Sequence, residues 1–227
     1  MSKQNKTVLI IAIAIIAVVG LIMINGKKLP SNDQNNNGNK YEAGKLSPID
    51  STDHIFGKLG APIQMIIYSD FECPFCADFS ETIKQIERDF ADKVTIAFRH
   101  YTLPGHAEAK KAAEASECAA EQGKFWEMHD KLFADNKAGR LSEDQHRIDA
   151  ADLGLDTARF NQCLDSGKFA AKVAEVMAGG KNAGVSGTPT SFINGNIYPG
   201  AYPFEDFTTP DGQQESGMKN IINNLLK

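Results

Sequence analysis

The sequence predicts an α/β fold, a central mixed sheet flanked by helices and interrupted by a helical insertion, preceded by an N-terminal transmembrane helix. Three observations predict it: an uncharged apolar run near the N-terminus, a buried-type strand run that passes directly into a helical stripe, and a hairpin signature that returns only after a long helical stretch. With 227 residues the chain has material for one or two domains and a sizeable hydrophobic core. Hydrophobic residues at 42% and charged ones at 23% argue against both wholesale disorder and a polytopic membrane protein. A net charge of −5, without a Lys/Arg stripe, points away from nucleic acid as a partner.

The apolar run is Val8 to Ile24, 17 residues without a charge. As a helix it would be roughly 25 Å long, at the low edge of what crosses a bilayer core. Lys3 and Lys6 before it would also suit the n-region of a cleaved signal peptide. The run is longer than a usual h-region, however, and Gly20 to Gly26 offers no small-x-small cleavage site. An uncleaved anchor over 1–26 is the expectation, with secretion after cleavage as the alternative. No Cys follows the run, so a lipoprotein anchor is excluded. Lys27 and Lys28 balance Lys3 and Lys6, and the charges alone leave the orientation open. Residues 27–48, centred on the polar stretch Pro30 to Lys40, read as a disordered tether. The folded domain is expected over 49–227.

Within it, His54 to Gly57 reads as a short edge strand and Pro62 to Tyr68 as a buried strand. From Pro74 the period changes: Cys76, Phe79, Ile83, Ile86 and Phe90 form the stripe of an amphipathic helix. Val94 to Tyr101 then reads as a strand, closing a β-α-β unit with parallel pairing. The insertion, at about 104–184, shows helical stretches over Ala107 to Phe133, Asp144 to Leu153, Thr157 to Cys163 and Phe169 to Ala183. Strand character returns at Thr190 to Ile193, followed by the hairpin signature Asn194-Gly195 and by Ile197-Tyr198. Gly217 to Leu226 closes the domain as a helix.

The candidate site is the pair Cys73 and Cys76 in Asp70-Phe71-Glu72-Cys73-Pro74-Phe75-Cys76, at the junction of strand and helix. A thiol at a helix's first turn meets unpaired backbone N–H groups and the positive end of the macrodipole, which favour the thiolate. Pro74 suits the first helical position, where a missing N–H costs nothing. Cys73, nearer the helix start and expected to be the more exposed, is the candidate nucleophile. Cys76, one turn in, is the candidate resolving thiol that closes the intramolecular disulfide. A C-x-x-C alone is equally half of a zinc site. Cys118 and Cys163 lie far apart in helical stretches, and His54, His100, His106, His129 and His146 show no ligand spacing. No metal site is therefore expected, and the strand-to-helix setting favours redox chemistry.

A second element is Gly187-Thr188-Pro189-Thr190, a proline just before a strand. Together with the Cys motif it resembles the thioredoxin superfamily, and within it the DsbA-like extracytoplasmic oxidoreductases, especially their membrane-anchored, BdbD-like branch. The resemblance covers about residues 50 to 226 and also rests on His54-Ile55-Phe56-Gly57 and the placing of the insertion. It implies that Pro189 is cis and faces the dithiol, and that Thr188 offers backbone groups to a bound Cys-containing peptide by strand addition. It further implies oxidation of reduced, Cys-containing secreted proteins, reoxidation by a quinone-linked membrane partner, no cofactor, and a single-pass protein with its catalytic domain outside the cell membrane.

The chain departs from the family pattern at two positions. Many members carry His where Phe75 stands, so Pro74 and Phe75 are expected to tune the pair toward a less extreme potential. Ile67 stands where related folds keep a buried acid. Asp70 and Glu72 are nearer; whether either relays protons is open, and Glu72 reads equally well as a solvated charge. In an extracytoplasmic domain, and with some relatives carrying an extra disulfide in the insertion, Cys118 and Cys163 are expected to pair as a structural disulfide rather than remain free buried thiols. A reductase or isomerase of the same fold, or a copper- or metal-binding module using the Cys pair, are the alternative functions. With no separate dimerisation domain in the sequence, a monomer is expected.

Overall fold

The computed structural model describes residues 46–227. The expected anchor, and the tether up to residue 45, lie outside the described residues. Among the described residues no helix is long and apolar enough to cross a membrane.

The sheet is built around β2 (Ile63–Ser69), whose near-continuous apolar run suits a strand buried on both faces. It pairs in parallel with β3 (Val94–His100) through the intervening helix α1 (Pro74–Phe90), as a β-α-β crossover requires. The edge strand β1 (His54–Gly57) runs antiparallel to β3. On the other side β4 (Thr190–Ile193) runs antiparallel to β2 and turns into β5 (Asn196–Pro199), giving the mixed order β1-β3-β2-β4-β5. Asn194 at φ 46° and Gly195 at φ 83° both take the left-handed conformation that a tight hairpin needs.

Five helices connect β3 to β4: α2 (Ala109–Ala120), α3 (Phe125–Lys137), α4 (Glu143–Asp152), α5 (Thr157–Asp165) and α6 (Ala170–Asn182). The sequence pattern predicts one helical run from Ala107 to Phe133, but the chain breaks it at Gly123. That residue adopts φ 73°, and the Lys124 N–H closes back on the Ala119 carbonyl, the left-handed ending that glycine permits. The final helix is α7 (Met218–Leu225). Between β5 and α7 lies a small ladder of β6 (Phe207–Thr208) and β7 (Gln214–Glu215). Two-residue strands carry no periodicity, which is why the sequence does not announce them.

Among the described residues, three apolar clusters form the core. Ile63, Met65, Ile67, Phe79, Ile83 and Ile86 join Met218 and Ile222 where α1 and α7 cover one sheet face. Ile66, Tyr68, Ala97 and Phe192 meet Val185 on the other. There α6 comes so close that a Cβ on Gly180 would stand 2.6 Å from the Tyr68 ring. The third cluster lies within the helical insertion and includes Phe71, Cys73 and Cys76 beside Met128, Leu132 and Phe160. The insertion thus packs against the Cys motif itself.

Cys118 of α2 and Cys163 of α5 form a disulfide, with Cα atoms 5.9 Å apart. It ties two helices whose only other link along the chain is 45 residues of loop and helix. Replacing both by Ala is expected to lower the free energy of urea unfolding by about 4 kcal/mol, the loop-closure entropy of such a separation. Equilibrium unfolding followed by circular dichroism measures it, and an unchanged midpoint would show the bond to be without effect on stability.

Candidate active site

Strand β2 ends at Ser69, and the turn Asp70-Phe71-Glu72 delivers Cys73 to the N-cap of α1 with Pro74 at the helix start. The Cys73 carbonyl accepts from the N–H groups of Cys76 and Ala77, each at 3.1 Å, so the motif is the first turn of the helix. Across it, the Thr188–Pro189 peptide is cis, and the Cys73 thiol donates to the Thr188 carbonyl at 3.4 Å. The two elements are 115 positions apart in the chain and meet at one sulfur.

Cys73 and Cys76 differ sharply in proton affinity. The Cys73 thiol is lowered from the ordinary 9.0 to about 6, because the Cys76 thiol bonds to it, with the Thr188 side chain and the N–H groups of Cys76 and Phe75 adding to the effect against burial. Cys76 is pushed well up, first by burial and then by Cys73 beside it, with the Ser69 hydroxyl and the Asp70 N–H opposing. The Asp70 N–H lies 3.5 Å from the Cys76 sulfur. A helix N-terminus supplies donors to one sulfur and leaves its neighbour one turn deeper without them. The geometry sets one thiolate beside one firmly held thiol, the arrangement a dithiol exchange needs.

The Asp70 side chain has no exposed surface. Its Oδ2 accepts from the Leu103 N–H at 2.7 Å and lies 2.8 Å from His106 Nδ1, while its Oδ1 accepts from the Glu72 N–H at 2.8 Å. Burial lowers the pKa of His106, but the bond to Asp70 and the charges of Asp70, Glu72 and Cys73 outweigh it and raise the pKa overall. Asp70, Glu72 and Cys73 thus favour the protonated form of an imidazole whose charge couples to that of Cys73, although residue 75, inside the motif, is Phe.

One expectation from the sequence needs correction. Glu72 is not a solvated charge: its Oε2 accepts from the N–H groups of Glu108 at 2.6 Å and Ala109 at 2.9 Å, capping the start of α2 from outside that helix. Both sulfurs are enclosed by the Thr188–Pro189 loop and the insertion, and Cys73, at 3% accessible, is the more exposed of the two, with Cys76 at 1%. The two residues between the cysteines face solvent, Phe75 at 65%. Pro74 occupies the first helical position, where no N–H is missed.

Spacing along the chain does not reveal that histidines cluster. His54 pairs opposite Phe98 across the β1–β3 ladder, which places His100, two residues further on, on the same face of the sheet. Both Nε2 atoms reach Glu117 Oε1, at 2.9 and 3.1 Å, and Lys172 Nζ lies 2.7 Å from Oε2. Glu117 is thereby held well below the usual carboxylate range, its bonds to His100 and His54 overcoming burial. Among the described residues this is the group that gathers three metal-ligating side chains, and it includes neither Cys73 nor Cys76. Its carboxylate is already occupied by two imidazoles and an ammonium.

A family model described as Thioredoxin matches residues 50–209. Among curated proteins, the Na(+)/H(+) antiporter NhaA 1 of Salinispora arenicola is 38% identical over 162 residues, which are 70% of this chain and 24% of the antiporter. The chain thus spans about a quarter of the length of that relative. Among solved structures, a single-residue variant of α-DsbA1 from Wolbachia pipientis superposes with a TM-score of 0.66 at 22% identity, covering 80% of this chain and 94% of that one. Oxidised BdbD from Bacillus subtilis superposes with a TM-score of 0.62 at 23% identity, covering 68% of this chain and 88% of that one. At such identities these superpositions establish the fold.

The lowered Cys73 pKa sets a pH profile. In the reduced protein, alkylation by iodoacetamide is expected to label Cys73 first, with a rate that falls as pH drops through about 6, while Cys76 stays unlabelled. The linked stability has the same sign: it is fully present above the unfolded thiol's pKa and is lost as pH falls through about 6. Mass spectrometry of timed alkylations measures the profile, and a midpoint near that of free cysteine would show that the helix start does not activate the thiol.

Proposed function

The chain belongs to the thioredoxin family, as a DsbA-like member, and on that premise we propose that it introduces disulfides into secreted or surface proteins on the extracytoplasmic side of a membrane. The observation that carries this reading is the asymmetry of the dithiol: Cys73, lowered to about 6, faces Thr188, while Cys76 behind it retains its proton. A thiol with a low pKa is a good leaving group, so a disulfide that contains it is readily given away. The Cys118–Cys163 bond supports a compartment in which disulfides persist.

In the oxidised enzyme a substrate thiolate attacks Cys73 Sγ. The Cys73–Cys76 bond breaks, a substrate–Cys73 bond forms, and Cys76 leaves with the electron pair and takes up a proton. A second substrate thiolate then attacks the substrate sulfur of the mixed disulfide and releases Cys73 as a thiolate. The substrate gains a disulfide and the enzyme is left as a dithiol. Thr188, just before β4, supplies backbone groups for an extended peptide, and exposed Phe75 offers that peptide an apolar contact. A quinone-linked membrane protein is the proposed reoxidant, and the run from Val8 to Ile24 the proposed anchor.

The raised pKa of His106 bears on direction. A cation near Cys73 stabilises the reduced, thiolate form and makes the disulfide more oxidising. This favours the oxidase over a reductase or isomerase, and it softens the expectation drawn from Phe75. The test is oxidative refolding of a reduced secreted ribonuclease by the oxidised protein. Cys73→Ala is expected to abolish it. Cys76→Ala is expected to trap the Cys73–substrate adduct. Refolding activity that survives Cys73→Ala would defeat the proposal, and reduction of insulin without any refolding activity would make the protein a reductase.

A further inference from the structure

Cys76 must gain a proton when the disulfide opens and lose it when the disulfide re-forms, yet the residue is 1% accessible. Beside it lies a cavity of about 10 Å³, close to the volume that admits one water, where Cys76, Ser69, Ser80 and His129 meet within an otherwise apolar wall that includes Ile67, Phe79 and Trp126. Ser69, Ser80 and His129 are themselves buried, at 4%, 5% and 5% accessible. The His129 ring is boxed by Phe71, Phe98 and Phe133, with centroids 5.8, 5.1 and 4.9 Å away and each ring close to perpendicular to it, which fixes its plane. Its Nδ1 lies 3.1 Å from Asp130 Oδ1, on a side chain that is 53% accessible. A carboxylate only accepts, so Nδ1 carries the hydrogen and Nε2 is left as the basic nitrogen.

We propose that His129 exchanges the Cys76 proton through a water held in this cavity, with Asp130 as the outlet to solvent. The inference rests on the dithiol reading above. When the disulfide opens, the Cys76 thiolate takes a proton from the water, and the water is restored by a proton that enters from solvent past Asp130 and is passed on by His129. When the enzyme is reoxidised, Cys73 carries a mixed disulfide with a disulfide-bearing oxidant. The Cys76 proton then passes through the water to Nε2. The thiolate attacks Cys73 Sγ, the Cys73–Cys76 bond forms, and the oxidant's sulfur leaves as a thiolate. His129 acts through the water and is in this sense a positioning residue.

The surroundings suit the task. Burial lowers the pKa of His129 against the pull of Asp130, which favours the neutral imidazole and lets Nε2 pass on a proton it has accepted. The charged and titratable groups that act on it are Asp130 on its own helix, Lys84 on α1 and His54 on β1. Glu87 on α1 lies close enough to feel the charge of Asp130, and its carboxyl is pushed up to about 7 by burial and by Asp130. The rival outlet, Asp70, meets Cys76 through its backbone N–H, while its carboxylate is engaged by Leu103, Glu72 and His106.

Reoxidation of the reduced full chain by oxidised glutathione separates the steps, because acid quenching and mass spectrometry count both the Cys73–glutathione adduct and the closed disulfide. For His129→Gln, adduct formation is expected to keep its rate, while closure at pH 7 slows about tenfold, with a deficit that shrinks toward high pH as hydroxide removes the proton directly. Asp130→Asn, at the surface, is expected to slow closure about threefold with the same pH signature. Closure unchanged in both variants, or slowed equally at every pH, overturns the inference. So does a loss confined to Asp70→Asn. If His129→Gln does not fold, Asp130→Asn decides by the same criteria. A wild-type protein that forms no adduct would instead defeat the dithiol reading.

Discussion

The carboxylate of Asp70 is the constraint on which the rest of the site depends. A charge with no exposed surface is tolerated only if its lone pairs are taken up, and here the donors come from three places: the Glu72 N–H within the turn, the Leu103 N–H after β3, and the His106 ring. Satisfying the charge therefore fixes the turn after β2 against the loop after β3. The same residue turns its own N–H toward Cys76. One side chain thus sets the bend that aims Cys73 at the helix start and draws His106 toward the motif.

The helical insertion has a comparable hold on the motif from the other side. Glu72 caps α2, and Asn136 of α3 donates to the Phe71 carbonyl at 2.6 Å. The Phe71 ring is stacked on Phe98 and packed against Phe133. The turn is thus tied to both of the helices that cover it, and α2 is in turn joined to α5 by the Cys118–Cys163 disulfide. Enclosure of both sulfurs follows from this packing. Their proton affinities separate because burial opposes the thiolate at both positions, and only at Cys73 do the Cys76 thiol, Thr188 and the first N–H groups of the helix together outweigh it.

The α/β class and the strand-to-helix setting of the Cys pair are legible in the sequence because both rest on local signals. The buried strand shows as a continuous apolar run, the helix as a stripe from Cys76 to Phe90, and the hairpin as Asn194-Gly195. The break at Gly123 is not, because a single glycine inside an Ala- and Glu-rich stretch is compatible with either a continuous helix or a stop. The role of Glu72 is hidden for a different reason. A capping box is recognised when donor and acceptor are neighbours in sequence, whereas Glu72 caps a helix 36 positions away.

The histidines are the clearest case of function that spacing conceals. His54 and His100 share a sheet face only once the β1–β3 register is known, His106 matters because Asp70 reaches it, and His129 because helix α3 lies over Cys76. In each case the partner lies on another element, so no pattern along the chain marks the residue. Phe75 shows the same limit in reverse. Its place between the cysteines suggests a loss of thiolate stabilisation, yet the charge of Cys73 is coupled in space to His106, whose pKa is raised by Asp70 and, in smaller part, by Glu72 and Cys73. That coupling is reciprocal: whatever the thiolate does to favour the imidazolium, the imidazolium does to favour the thiolate. The redox character of the pair is thus a property of the packed loop after β3 as much as of the four residues from Cys73 to Cys76.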